Sequence, residues 1–208
     1  MVILPELVEY DKANALLKKY GINSVDSSYV KSAQDAIKFA KGKPIVLKAL
    51  SQKALHKTKA GLIELNLSNE KGITEAYGRL EKRAQKFKPF RILAQHMVSH
   101  GLEIIIGGNV DQQFGKMILV GLGGIYVETF KDFALRACPI SQYDANSMIN
   151  QLKSRSVIAP DAASKRLLTG LLLKVSKMLE KNDIKELDLN PIMLHDGTYD
   201  AVDLRILK

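Results

Sequence analysis

In the stretch ELDLNPIMLHDGTYDAVDLRIL, residues 186–207, Asp196-Gly197 sits between two runs of strand-like alternation. Asp-Gly favours a two-residue type I′ hairpin turn. That turn sets His195 opposite Thr198, Asn190 opposite Asp203 and Asp188 opposite Arg205. Side chains alternate along a strand, so these last four residues share one face. Directly opposed residues stand about 5 Å apart. Asn190 and Asp203, with Asp188 beside them, could therefore hold a hard cation between oxygen donors. Mg²⁺ suits such a site, because it takes one or two protein carboxylates and completes its octahedron with water and phosphate oxygens. The simpler alternative is a surface hairpin in which Asp188 and Arg205 form a cross-strand ion pair.

Other residues are less specific taken alone. Lys48 ends an apolar run, PIVLKAL, and reads either as a snorkelling edge residue or as a phosphate ligand. His56 lies in the polar, basic stretch SQKALHKTKAG, where a loop histidine beside lysines usually decorates a surface. Neutral imidazole is also a competent nucleophile. His96 and His100 have the i, i+4 spacing of a helical metal pair, but they fall in a strand-and-turn segment, where that spacing does not converge. The GLGG run at 121–124 reads as a tight bend or as a turn near a ligand. G-x-G-x-x-G fails at 121–126, where Tyr126 takes the last glycine position, and no Walker A loop is found. Cys138 has no base near it in sequence and reads as inert.

These residues must be positioned by an ordinary globular chain. It has 208 residues, 46% apolar and 25% charged. That is one large domain or two small lobes, and it excludes disordered, collagen-like or coiled-coil architecture. One cysteine excludes an intramolecular disulfide framework or a Cys-rich zinc module. No apolar run reaches 18 residues and the N-terminus lacks the pattern of a signal peptide, so a cytoplasmic protein with no membrane partner is expected. The net charge of +9 suggests an anionic partner. Aromatics are 6%, with no tryptophan, which makes nucleic acid an unlikely partner and favours phosphorylated small molecules.

Helical spacing runs from Leu7 to Tyr20 and ends at Gly21. NSVDSS reads as a turn. Ser32 caps a helix that ends near Gly42, and a buried strand covers Ile45–Leu50. Leu62–Leu67 alternates as a strand. Asn69 caps a helix running to Phe87. Arg91–Val98, Glu103–Val110 and Lys116–Val120 read as strands, as does FALRACPI at 133–140. Tyr143–Gln151 and Asp161–Lys181 read as helices, and a hairpin closes the chain. The order gives an α+β class without regular βα alternation.

Four segments together resemble the ATP-grasp domain of the NDP-forming acyl-CoA synthetases, above all the small β-subunit of the ADP-forming acetyl-CoA synthetases. They are PIVLKALSQKALHKTKAG (44–61), ILAQHMVSHGLEIIIGGNVDQQFGKMILVGLGGIYVE (92–128), KDFALRACPI (131–140) and ELDLNPI (186–192). The succinyl-CoA synthetase β-subunit is a more distant likeness. The resemblance covers nearly the whole of residues 1–208.

The resemblance implies an ATP-grasp fold, with two α+β lobes gripping ATP or ADP and Mg²⁺. The lobes would span about 20–95 and 96–208, with helix 7–20 packed on the second. Asn190 and Asp203 would match the magnesium ligands, with Asp188 a nearby acid. Lys48 would touch phosphate and Arg136 would help hold it. Gln95, His96, Met97 and Val98 would form a hinge whose backbone reads adenine, and Glu103 would accept a ribose hydroxyl. His56 would be catalytic, carrying a phosphoryl group from a partner's phosphohistidine to ADP, with Lys57 offsetting charge. Lys59 stands where the family has an acid, and Ala60-Gly61 where it has two glycines; alanine disfavours positive φ. The CoA-binding segment and the main phosphohistidine belong to an α-type subunit, so an α₂β₂-like heterotetramer is implied. Two other readings remain open at this point. One is a basic polyanion- or nucleic-acid-binding module without catalysis; the other is a different ATP-grasp carboxylate ligase.

Overall fold

The computed structural model describes residues 6–53, 61–124 and 132–208. His56 and Lys57, with Lys59 and Ala60, lie outside the described residues. The chain divides into two compact units: residues up to Ser24 together with His100–Lys208, and Val25–Ser99.

The Val25–Ser99 unit is a four-stranded antiparallel sheet under two helices. The strands are β1 (Ser27–Val30), β2 (Ile45–Leu50), β3 (Ile63–Leu67) and β4 (Arg91–His96), in the order β1-β4-β2-β3. Its helices are α2 (Ala33–Ala40) and α3 (Glu70–Ala84); helix α1 (Tyr10–Lys19) belongs to the other unit. Ser32 caps α2 by accepting the Asp35 N–H at 3.1 Å, and Asn69 caps α3 by accepting the Gly72 N–H at 2.8 Å. Ile45, Leu47 and Ala49 of β2 and Ile92 and Ala94 of β4 form one core cluster with Ala36, Ile73, Ala76, Tyr77 and Leu80 of the helices. The alternate residues of both strands therefore face away from α2 and α3.

The other unit is a six-stranded sheet. It contains β5 (Leu102–Asp111), β6 (Gly115–Leu122), β7 (Phe133–Ala137), β8 (Glu186–His195), β9 (Thr198–Ala201) and β10 (Leu204–Leu207). The order is β10-β8-β5-β6-β7, with β9 also on β8, and every pairing is antiparallel. Helices α4 (Gln142–Gln151), α5 (Arg155–Ile158) and α6 (Ala162–Lys181) follow β7. Asp161 caps α6 through the Ser164 N–H at 2.7 Å. Helix α6 packs on β6 and α4 packs on β7. A Cβ at Gly108 would lie 2.7 Å from buried Leu179 of α6, so this glycine sets how closely helix and sheet approach.

Three local expectations are corrected. The NSVDSS segment is not all turn, since Ser27–Val30 forms an edge strand. Only Val30 of its four residues is buried, so hydrophobic alternation could not reveal it, and pairing with β4 makes it. Helix α1 begins at Tyr10 rather than Leu7, because residues 6–8 pair with β10: Leu7 bridges Leu207, and the Val8 N–H donates to Ile206 O at 2.9 Å. The strand read as 133–140 stops at Ala137. Among the described residues no helix is long and apolar enough to cross a membrane.

Candidate functional site

The C-terminal hairpin keeps the register its turn implies along its whole length. His195 pairs with Thr198 and Ile192 with Ala201; beyond the gap between β9 and β10, Leu189 pairs with Leu204 and Asp188 with Arg205. Between these ladders the Asn190 N–H donates to Asp203 O at 3.2 Å and the Val202 N–H to Pro191 O at 3.0 Å. Against β5, however, β8 carries one extra residue: Ile104 pairs with Ile192, but Ile106 pairs with Leu189. This is a bulge at Asn190-Pro191. Residues 202–203 interrupt the partner strands at the same level, and the hairpin register survives across the gap.

The bulge has a packing cause. Leu187, Leu189 and Ile192 are all buried, and they can face the helices together only if parity shifts between 189 and 192. Asp188 and Asn190, with Arg205 and Asp203 opposite them, are left on the sheet face away from the helices. Asp203 Oδ1 accepts the Leu204 N–H at 3.0 Å. Arg205 pairs with Glu186 and stands 3.9 Å from Asp188 Oδ2. Asp188 is thus partly balanced by its cross-strand cation. Asn190 is exposed and Asp203 half-buried. The Asn190–Asp203 pair offers only oxygen donors to a cation, the donor chemistry of Mg²⁺ rather than of a thiolate- or imidazole-seeking metal.

Glu103 lies on that same face, two positions before Ile105 and four before Gly107, which pairs with Asp188. The Gly-rich run fits around it. The Gly123 N–H donates to Glu103 O at 2.8 Å. A Cβ at Gly123 would lie 2.9 Å from the Glu103 backbone, and one at Gly124 would lie 2.6 Å from Glu103 Oε2. Gly123 and Gly124 approach Glu103 closely, whereas Gly121 approaches Asp132 and Phe133; sequence reading assigned neither role, and the paired glycines were the signal for the first.

In the Val25–Ser99 unit, Lys48 does not end its strand. It lies inside β2, opposite Leu93 and Ile63, and is only 5% exposed. Gln95, opposite Val46, is fully buried on the same sheet face, the one turned from α2 and α3. Two of the buried polar side chains in this unit are therefore diagonal neighbours. The main chain beyond Gln95 is already partly committed. The His96 N–H donates to Asp26 O and the Met97 N–H to Pro44 O, both at 3.0 Å. A base read by Gln95–Val98 would have to use other backbone groups. The His96 ring stacks on Phe39 at 4.6 Å, and its Nε2 is 3.9 Å from Asp26 Oδ2.

Arg136 is not brought together with the others. Its register partner, Ile118, is buried on the helix side of the six-stranded sheet, and its guanidinium donates to Leu135 O at 2.7 Å and to Ser147 Oγ of α4 at 3.1 Å. It lies on the face opposite Glu103 and Asp188. Cys138 is half-buried, and burial pushes its thiol pKa up, which fits an inert thiol.

The chain is similar to known proteins along nearly its whole length. Residues 6–207 match the family model described as ATP-grasp domain. The chain is 35% identical to the β subunit of the ADP-forming acetate–CoA ligase II of Pyrococcus furiosus, over 97% of this chain and 91% of that one. It is 34% identical to the ADP-forming acetate–CoA ligase I of Archaeoglobus fulgidus, but spans only 30% of that longer protein. Acetyl-coenzyme A synthetase 1 of Ca. Korarchaeum cryptofilum, solved with coenzyme A, Ca-AMPCP and HgCl⁺, superposes with a TM-score of 0.87 at 30% identity, covering 98% of this chain and 93% of that one. A second structure of that enzyme, with coenzyme A and Mg-AMPPCP and its phosphohistidine segment pointing towards the nucleotide-binding site, gives 0.82 at 29% identity, covering 97% and 92%. An α+β chain with an oxygen-donor pair on its C-terminal hairpin, matched over nearly its whole length by these proteins, belongs to the ATP-grasp domain family, alongside the β subunits of the ADP-forming acetate–CoA ligases.

Proposed function

We propose that this chain is the nucleotide-handling subunit of an ADP-forming acyl-CoA synthetase, working with a CoA-binding α-type partner. The observation that carries the reading is the near full-length match, at 35% identity, to a protein named as a β subunit. The Archaeoglobus relative is more than three times the length of its matching segment. The remaining chemistry in the present case would come from a partner, in an α₂β₂-like assembly. The overall reaction is acyl-CoA + ADP + phosphate ⇌ carboxylate + ATP + CoA.

Asn190 and Asp203 would hold Mg²⁺, with Asp188 nearby. The ion, when bound, supplies positive charge against the phosphate oxygens. Glu103 would accept a ribose hydroxyl, its carboxylate held in place by the Gly123-Gly124 approach. Lys48 would meet the phosphates. Its place inside β2, on the sheet face shared with Gln95, supports this role. Gln95, His96, Met97 and Val98 would border the adenine. His56 would carry the phosphoryl group. The P–N bond on the partner's phosphohistidine breaks as a P–N bond to His56 forms; that bond then breaks as a β-phosphate oxygen of ADP attacks phosphorus. Lys57 would offset charge during both transfers.

Calorimetric titration of the chain with ATP, with and without Mg²⁺, tests the nucleotide site. Saturable binding that strengthens with Mg²⁺ and weakens in Asp203→Ala is expected. Equal affinity for inorganic polyphosphate, falling steeply with salt, would instead identify a polyanion-binding module. For the relay, the chain reconstituted with its α-type partner, labelled phosphate and acyl-CoA should acquire acid-labile, alkali-stable label. Undiminished ATP formation by His56→Ala would remove the relay.

A further inference from the structure

A second group of ligating side chains lies at the tip of the same hairpin, outside the nucleotide reading. His100 converges with His195 and Asp196. His100 Nε2 is 3.0 Å from Asp196 Oδ2, and His195 Nδ1 is 3.5 Å from the same oxygen. One ligand atom from each of the three residues lies within 4.8 Å of the other two. Ligands at the bond lengths of about 2.0–2.2 Å usual for zinc stand roughly 3.3 Å apart in a tetrahedron. Two edges of the triangle are already near that value, and the third lies within 4.8 Å.

Two further features make this a built arrangement. His195 Nε2 is 3.0 Å from Asp200 Oδ2. A ring nitrogen donating to that carboxylate leaves Nδ1 as the acceptor facing Asp196, which is the carboxylate–histidine orientation that metal ligands use. The loop bearing His100 is also pressed directly onto the hairpin. Gly101 has φ +133°, and a Cβ there would lie 2.7 Å from Leu194 O and 3.3 Å from His195 Cβ. Only glycine permits that approach, and it sets His100 beside His195, with ring centroids 5.8 Å apart.

We infer that His100, His195 and Asp196 form a site for a divalent transition metal of the zinc class, with Asp200 orienting His195. Two imidazoles and one carboxylate are borderline donors that favour Zn²⁺ or Co²⁺ over Mg²⁺. Water would complete the coordination, since the group is open to solvent on the His100 side. The ion would tie the start of β5 to the β8–β9 turn.

The test is titration of the whole chain with Zn²⁺ by calorimetry and with Co²⁺ by visible absorption. One saturable equivalent is expected, with the intense d–d bands of a low-coordinate Co²⁺ site. Zn²⁺ should raise the Tm of the wild type, because it binds only the folded chain. His100→Ala removes an exposed ligand without touching the core, and should abolish both the bands and the Tm shift. Asp200→Asn, which leaves all three ligands in place, should weaken binding about 10- to 100-fold, the range for a lost orienting partner. Absence of saturable binding overturns the inference. So does binding that survives in His100→Ala, because the ion would then be held elsewhere, at Asp203 or His56. Mg²⁺-dependent ATP binding should be unchanged in His100→Ala, so failure here is distinct from failure of the nucleotide reading.

Discussion

Asn190 donates its backbone N–H to Asp203 O at the level of the β8 bulge, in the gap between the β9 and β10 ladders. The two residues remain cross-strand partners while Asn190 lies in the bulge that interrupts the ladder of β8 with β5. Their side chains can therefore approach a ligand without displacing Leu187, Leu189 or Ile192 from the core.

Removing the Asp203 side chain should accordingly uncouple binding from folding. Asp203→Ala is expected to weaken Mg²⁺-dependent ATP binding at least about tenfold, or 1.4 kcal/mol. Its main-chain pairing with Asn190 does not need the carboxylate, so the far-UV spectrum and the Tm should barely move. A parallel calorimetric and thermal series on wild type, Asp203→Ala and Asp188→Ala checks this. Asp188, already facing Arg205, should matter less than Asp203.

The glycines of the sheet differ in what they make possible. At Gly123 a Cβ would meet backbone atoms of Glu103 and Ile104 at 2.9–3.0 Å, and backbone cannot rotate aside. Gly123→Ala should cost about 1–3 kcal/mol, the usual penalty for overpacking, and should also move Glu103. Gly78, on the exposed side of α3, meets nothing within 4 Å. Gly78→Ala should stabilise by about 0.5–1 kcal/mol, through helix propensity alone. Denaturant midpoints of the two variants should shift in opposite directions.

Asp132 supplies the acid sensitivity expected of this fold. Burial pushes its pKa up, but the Ser154 hydroxyl and the Lys153 and Ser154 N–H groups, both N–H contacts at 2.8 Å, outweigh burial and hold it below the ordinary value. A depressed folded-state pKa contributes stability above the unfolded value, and that contribution is lost as pH falls through the folded one. The contribution should be intact at neutral pH and fade below about pH 4, where unfolded aspartate protonates. Asp132→Asn should flatten the acid limb of a Tm-against-pH curve; an unchanged limb would assign the acid sensitivity to other carboxylates.

Much of the site was legible because its geometry is local. Asp196-Gly197 fixes the turn, and the turn fixes Asn190 opposite Asp203. The bulge was not legible, because it depends on the parity of Leu189 and Ile192 against β5, some 85 residues earlier in the chain. Ser32 and Asn69 were readable as caps from their own neighbours. Ser27–Val30 was not readable as a strand, since polar Ser-Ser-Tyr becomes extended only by pairing with β4. The strand Ile45–Leu50 was readable from its apolar run, but not that Lys48 inside it would be buried, since that depends on β3 and β4 pairing on either side. His100 was visible as half of a histidine pair, but its partner His195 is brought to it only by antiparallel pairing of β5 with β8. Arg136 could be placed on a strand, but not on a face.

Lys116 gives a last case in which a charge acts on main chain rather than on another charge. Its Nζ donates to Leu179 O at 2.6 Å and to Asn182 O, and reaches Glu180 O at 3.4 Å. These carbonyls terminate α6, where the last turn has no intrahelical donors to satisfy them. A cation at this end also meets the negative pole of the helix dipole. Lys116→Met keeps the aliphatic stem and removes the ammonium. It should cost about 1–2 kcal/mol, the range for a charged donor lost from partly buried acceptors. The loss should appear first as faster amide exchange in the last turn of α6 and around Asn182. Exchange unchanged there, with a general fall in stability, would mean that the stem's packing, not its charge, is what α6 uses.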